Sequence, residues 1–68
     1  MMDVELNGER RAVGEATSVR ELVVELVGQE RGVAVALDGT VFPRDRWDES
    51  LGELTPRAID VLTAVQGG

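Results

Sequence analysis

Apolar and polar residues alternate from Met2 to Leu6, with Met2, Val4 and Leu6 on one side and Asp3 and Glu5 on the other. A period of two predicts a strand with one buried face. Asn7-Gly8 follows, and this pair favours a type I′ hairpin because both turn residues need positive φ. The return strand is then Glu9 to Val13, whose charges suit an edge that must not aggregate. Gly14-Glu15-Ala16 reads as an exit loop. The period then changes. Val19, Leu22, Val23 and Leu26 fall at i, i+3, i+4 and i+7, one face of a helix, with Glu21 and Glu25 on the other side. Val24 and Val27 widen the apolar stripe. Ser18 and Glu21 have the spacing of a capping box, and Gly28 stands where a left-handed C-cap is expected. Valines are weak helix formers, so this helix depends on tertiary packing.

After a polar connector over Gln29–Gly32, Val33 to Leu37 predicts a strand that is apolar on both faces but small on one. Asp38-Gly39 repeats the hairpin signal. Thr40-Val41-Phe42 returns, and Pro43 ends the strand because it has no N–H for the ladder. Trp47 reads as a lid over the core beside Phe42, since aromatic residues dominate core energetics. A short helical or 3₁₀ turn is expected over Asp48–Leu51, and a loop over Gly52–Arg57, where Pro56 bars helix continuation. Ile59 to Val65 carries only Asp60 and Thr63 as polar residues, which predicts a central strand covered on both faces. One helix can cover one face of one sheet, so the expectation is an α+β domain with the last strand at its centre. It comprises residues 1–65, followed by a flexible tail, 66–68.

Composition narrows the chemistry. A chain of 68 residues buries only about 60% of its unfolded surface, leaving little room for a deep catalytic pocket. Cysteine and histidine are absent, which removes disulfides, thiolate metal sites and the commonest general base. No catalytic or metal-binding residue is therefore expected. The Asp45, Asp48 and Glu49 cluster reads as a solvated face and not as a metal site. The net charge of −6 disfavours nucleic acid and suits either solubility or a partner with a basic docking face. No apolar run is long enough to span a membrane. Met1-Met2-Asp3 begins no secretory leader, and the lack of cysteine fits a reducing cytosol, so a cytoplasmic protein is expected.

The remaining feature is Gln66-Gly67-Gly68, directly after an apolar run. Glycine permits any backbone conformation and close approach by another surface. A lone Gly-Gly pair is weak evidence, since short motifs match by chance. The rest of the chain gives it weight. Val4-Glu5-Leu6-Asn7-Gly8, Thr17-Ser18-Val19-Arg20-Glu21-Leu22, Val33 to Gly39 followed by Phe42-Pro43-Arg44-Asp45-Arg46-Trp47, and Ile59 to Gly68 together cover nearly the whole sequence. In that order they resemble the ThiS family, the sulfur carriers of thiamine biosynthesis, with a ubiquitin-like β-grasp fold. Pro-Arg-x-x-Trp combined with a Gly-Gly terminus is the specific part. The chain departs from the family pattern at Thr55-Pro56-Arg57-Ala58, where a Gly-Asp turn is common, and at Phe42, where valine is.

The resemblance implies a carrier and not an enzyme. An E1-like adenylyltransferase (ThiF-like) would use ATP and magnesium to adenylate the Gly68 carboxylate. A persulfide donor would convert it to a thiocarboxylate, and thiazole synthase (ThiG-like) would accept the sulfur. Gly67 and Gly68 would thread a narrow channel, with Gln66 and Val65 at its mouth. No cofactor would be bound by the carrier itself. Three other readings stay open: the small subunit of molybdopterin synthase, a ubiquitin-like modifier forming isopeptide bonds, and a plain interaction domain. Arg44-Asp45-Arg46-Trp47 and the lack of proline between Pro56 and Gly68 favour the thiamine branch over the molybdopterin one.

Overall fold

The computed structural model describes residues 1–63. Strands β1 (Met2–Leu6) and β2 (Glu9–Val13) form an antiparallel hairpin, helix α1 spans Val19–Val27, and β3 (Val33–Leu37) and β4 (Thr40–Phe42) form a second hairpin. A 3₁₀ turn at Arg44–Arg46 and a short helix α2 (Leu51–Leu54) precede β5 (Ala58–Thr63). The sheet order is β2-β1-β5-β3-β4, so the last strand is central as expected, parallel to β1 and antiparallel to β3. Both hairpins turn on residues with positive φ: Asn7 at 50° with Gly8 at 87°, and Asp38 at 51° with Gly39 at 84°. This is the type I′ geometry read from the two dipeptides.

Ser18 caps α1 by accepting from the Glu21 N–H, and the Glu21 carboxylate accepts from the Ser18 N–H, which completes the capping box. Gly28 ends the helix in the left-handed conformation, φ 92°. The core lies between α1 and one face of the sheet. Val4, Leu6, Val35, Phe42, Ile59 and Val61 meet Val19, Leu22 and Val23, and Trp47 and Leu51 close one end.

The structure corrects the sequence expectations in three places. Leu26 is 36% exposed and Val24 42% exposed, so the apolar stripe narrows along α1. Only Val27 of the last turn packs against the core. Leu26 instead borders an open groove toward β2. Among the described residues β5 is covered on one face: Ile59 and Val61 are buried, whereas Leu62 on the other face is 61% exposed. The short turn expected over Asp48–Leu51 lies later, as helix α2 from Leu51 to Leu54, so residues 52–54 of the span read as loop are helical, and a separate 3₁₀ turn precedes it at Arg44–Arg46. Ser50 accepts from the Glu53 N–H, and Thr55 terminates the helix at φ 45° before Pro56. Gly52 has a steric reason to be glycine. A Cβ there would lie 2.8 Å from the Glu15 carbonyl oxygen, which accepts the Gly52 N–H.

The difference between the two leucines is measurable. Leu22→Ala should cost about 2–5 kcal/mol, as buried leucines do. Leu26→Ala should cost roughly 1 kcal/mol, nearer the ordinary range for partly exposed positions. Denaturant unfolding of both variants checks this, and equal losses would place Leu26 in the core after all.

Candidate functional site

The residues singled out for chemistry, Val65, Gln66, Gly67 and Gly68, lie outside the described residues, as does Ala64. What the structure defines is the strand that leads to them and the surface around its end. β5 is held by backbone pairing on both sides and by the side chains of the two hairpin turns. The Asn7 amide oxygen accepts from the Val61 N–H at 2.8 Å, extending the ladder past the end of β1. The Asp38 carboxylate accepts from the N–H groups of both Arg57 and Ala58, each at 2.9 Å, and so fixes where β5 begins. Each turn residue therefore supplies positive φ and a cap for the central strand. Sequence reasoning found the first role only. The second had a signal in the choice of Asn and Asp, whose side chains accept backbone hydrogen bonds near turns.

The uncovered sheet face changes character across its width. Register places Leu62 beside Ala34, and Ala36 between Asp60 and Val41. Val41 is 74% exposed, so β3, β4 and the end of β5 share an apolar outer surface built on two alanines. Toward the other edge the same face carries Asp3, Glu5 and Arg10. A shallow depression of about 400 Å³ lies at the β5 end, bordered by Gly32, Ala34, Arg44, Leu62 and Thr63.

Arg44 reaches this depression from the Pro-Arg-x-x-Trp stretch. Trp47 is 1% exposed, and its indole N–H donates to the Phe42 carbonyl at 3.3 Å. The guanidinium carbons of Arg44 and Arg20 lie 5.2 and 5.9 Å from the Trp47 ring centroid, and that of Arg46 lies 5.0 Å from the Phe42 centroid. Such contacts are worth about 0.5–1 kcal/mol when exposed. Arg20 also pairs with Asp48 at 2.9 Å and with Glu30. Arg46 pairs with Glu49 through two bonds, at 2.7 and 2.9 Å. The Arg46 bonds hold the Glu49 carboxyl below its ordinary value, and the Asp48 bond raises the Arg20 guanidinium. Asp48 and Glu49 thus stand in surface ion pairs with Arg20 and Arg46, and Asp45 beside them is exposed. Among the described residues, no group of acidic side chains is arranged to hold a metal ion, and no helix is long and apolar enough to cross a membrane.

The loop carrying Trp47 also completes the helix starts. The first-turn N–H groups of Val19 and Arg20, which have no partner inside α1, donate to the carbonyls of Glu49 (3.2 Å) and Trp47 (2.8 Å). In return the Leu51 N–H donates to the Thr17 carbonyl at 2.8 Å. Two serine-capped helix ends are therefore joined back to back at the Ser18–Ser50 bridge.

The ThiS family model matches residues 4–68. A solved structure of a thiamine biosynthesis protein (ThiS) from Geobacter metallireducens is 30% identical and superposes with a TM-score of 0.72, over 98% of this chain and 100% of that one. The fold is accordingly the mixed five-stranded β-grasp sheet on one main helix. No curated protein matches the chain.

Proposed function

The chain belongs to the ThiS family, and from that premise we propose that it is a sulfur carrier of thiamine biosynthesis whose working group is the carboxylate of Gly68. The observation that carries this reading is the family match running to residue 68, straight off the central strand of the sheet. A carboxylate is a poor electrophile until one oxygen becomes part of a leaving group. Adenylation by an activating adenylyltransferase, using ATP and magnesium, supplies that leaving group. The terminal sulfur of a persulfide displaces AMP to form an acyl disulfide, a second thiol outside this cysteine-free chain cleaves the S–S bond and is itself oxidised to a disulfide, and the released thiocarboxylate passes the sulfur to thiazole synthase. The carrier holds neither nucleotide nor metal in this scheme. Its own part is to present a terminus that a partner can enclose.

The described residues support that part physically. β5 is fixed by Asn7 and Asp38, so its end has a defined position relative to the outer face. Leu62, Val41 and the two alanines form the apolar surface nearest that end, and exposed apolar patches mark contact sites. Asp60, opposite Ala36 on this face, and the net charge of −6 suit a partner that is basic beside an apolar centre.

The test is direct. With an activating enzyme of this family, ATP, magnesium, a persulfide source and a thiol reductant, intact-protein mass spectrometry should find one oxygen replaced by sulfur at Gly68. A thiol-reactive alkylating probe should then label a chain that has no cysteine. An unchanged mass with competent partners would refute the carrier reading. Amide linkage to lysines of other proteins would replace it with the modifier reading.

A further inference from the structure

A second recognition feature lies on the opposite side of the sheet from β4. Among the described residues β2 is an edge strand, paired with β1 alone. In a two-residue hairpin the closing pair, here Leu6 with Glu9, exchanges both hydrogen bonds, and the pattern alternates from there. Arg10 and Ala12 therefore turn their N–H and C=O groups away from β1, toward open solvent. Beside this edge, between β2 and α1, runs a groove of about 470 Å³ bordered by Leu6, Val13, Leu22, Leu26 and Arg11. Leu26 is the apolar residue whose exposure the helical stripe did not anticipate. Arg11 sits opposite Val4 in the ladder, which puts it on the groove side of the sheet. It makes no ion pair among the described residues, although Glu25 borders the same groove.

Three elements therefore coincide: free backbone donors and acceptors, an aliphatic trough alongside them, and an unneutralised guanidinium at its rim. A second copy of the chain is a poor occupant. Pairing β2 with β2 along its full length centres the register on Arg11 and sets one Arg11 opposite the other, and like charges directly opposite are destabilising. We propose that the β2 edge and the β2–α1 groove bind an extended segment of a partner protein, aliphatic at alternate positions and bearing a carboxylate that meets Arg11. The segment adds a sixth strand through Arg10 and Ala12. Every second side chain points toward α1 and enters the trough, while the carboxylate gives register. The site is separated from β5 by β1, so its occupant leaves the outer face at Leu62 uncovered. A partner held here could stay bound while another acts on the chain's end. The proposal does not depend on the tail chemistry.

The probe is an acetylated, amidated peptide of sequence Val-Ile-Asp-Leu-Val, titrated into the isotope-labelled full-length protein. Backbone amide shifts should move at Arg10, Ala12 and along the last turn of α1. The same peptide with lysine in place of aspartate should bind at least about tenfold more weakly, as should the original peptide to Arg11→Glu. Ala12→Pro removes an N–H that β1 does not use, so the variant should fold, shown by an otherwise unchanged spectrum, and should not bind. Absence of shifts at millimolar peptide, shifts confined to the outer sheet face, or equal binding by Arg11→Glu would each overturn the proposal. Sulfur exchange at Gly68, measured separately, is unaffected by any of these outcomes.

Discussion

Trp47→Ala will leave the domain largely unfolded at room temperature. Truncating a buried aromatic costs about 3–5 kcal/mol through lost burial and the cavity left behind. This indole is 1% exposed. Its loss also removes the N–H donor of the Phe42 carbonyl and the ring on which Arg44 and Arg20 lie. The position matters as much as the volume. The Trp47 carbonyl accepts from the Arg20 N–H, and the next residues carry the Glu49 carbonyl that accepts from Val19. A loop that no longer anchors in the core would release two first-turn donors of α1 together. A domain of this length has a total stability of only about 3–10 kcal/mol. Circular dichroism in a thermal scan reads the result, since the variant has no other tryptophan to follow. Trp47→Phe keeps most of the bulk but not the donor and should remain folded at about 1–3 kcal/mol lower stability. A cooperative, near-native melt for Trp47→Ala would show that the Pro-Arg-x-x-Trp stretch is decoration on a core that stands without it.

What the sequence made legible was mostly local. Asn7-Gly8, Asp38-Gly39, the Ser18–Glu21 capping box and Gly28 each depend on backbone conformation within a few residues. All four formed as read. The placement of β5 at the sheet centre was legible because its stretch, Ile59 to Val65, is the longest of the predicted strands and carries only Asp60 and Thr63 as polar residues. Three features needed the tertiary structure. Leu26 has the right phase for the core, but phase does not say how far the core extends along a helix, and here the fully buried positions end at Val23, with Val27 alone of the last turn packed against them. Leu62 looked like half of a doubly covered strand, yet one helix covers one face, so its exposure follows from counting layers and not from hydrophobicity. α2 repeats the serine-to-glutamate spacing of α1 in Ser50 and Glu53. Gly52 hid it, because glycine is a poor helix former and its real constraint is the carbonyl of Glu15, distant in sequence. The candidate site was legible as a motif, Gly67-Gly68, and the strand leading to it was legible as a pattern. The caps that fix that strand, Asn7 on Val61 and Asp38 on Arg57 and Ala58, bridge residues too far apart for any window to register.

Gly67→Val should abolish activation while leaving the fold as it is. The described core ends before this position: its last member along the chain is Val61, and Ile59 and Val61 are already packed against α1. Unfolding of the variant should therefore match the parent within about 0.5 kcal/mol, the usual range for substitutions away from buried features. Activation is a different demand. The proposed adenylyltransferase must bring the Gly68 carboxylate up to a nucleotide phosphate, with the preceding backbone passing between enzyme walls. Glycine admits that approach because it has no Cβ and no preferred sign of φ. Valine adds two methyl groups at Cγ and restricts both φ and χ1. The carboxylate itself is untouched, so loss of activation isolates steric passage from chemistry. Gly67→Ala separates the causes further: a partial loss would point to width, and a loss as complete as for valine would point to a required positive φ. Pyrophosphate release follows adenylation, and intact-protein mass spectrometry follows sulfur uptake. If Gly67→Val is activated as fast as the parent, the terminus is not threaded through a confined channel, and the role assigned to the glycine pair fails even where sulfur transfer at Gly68 holds.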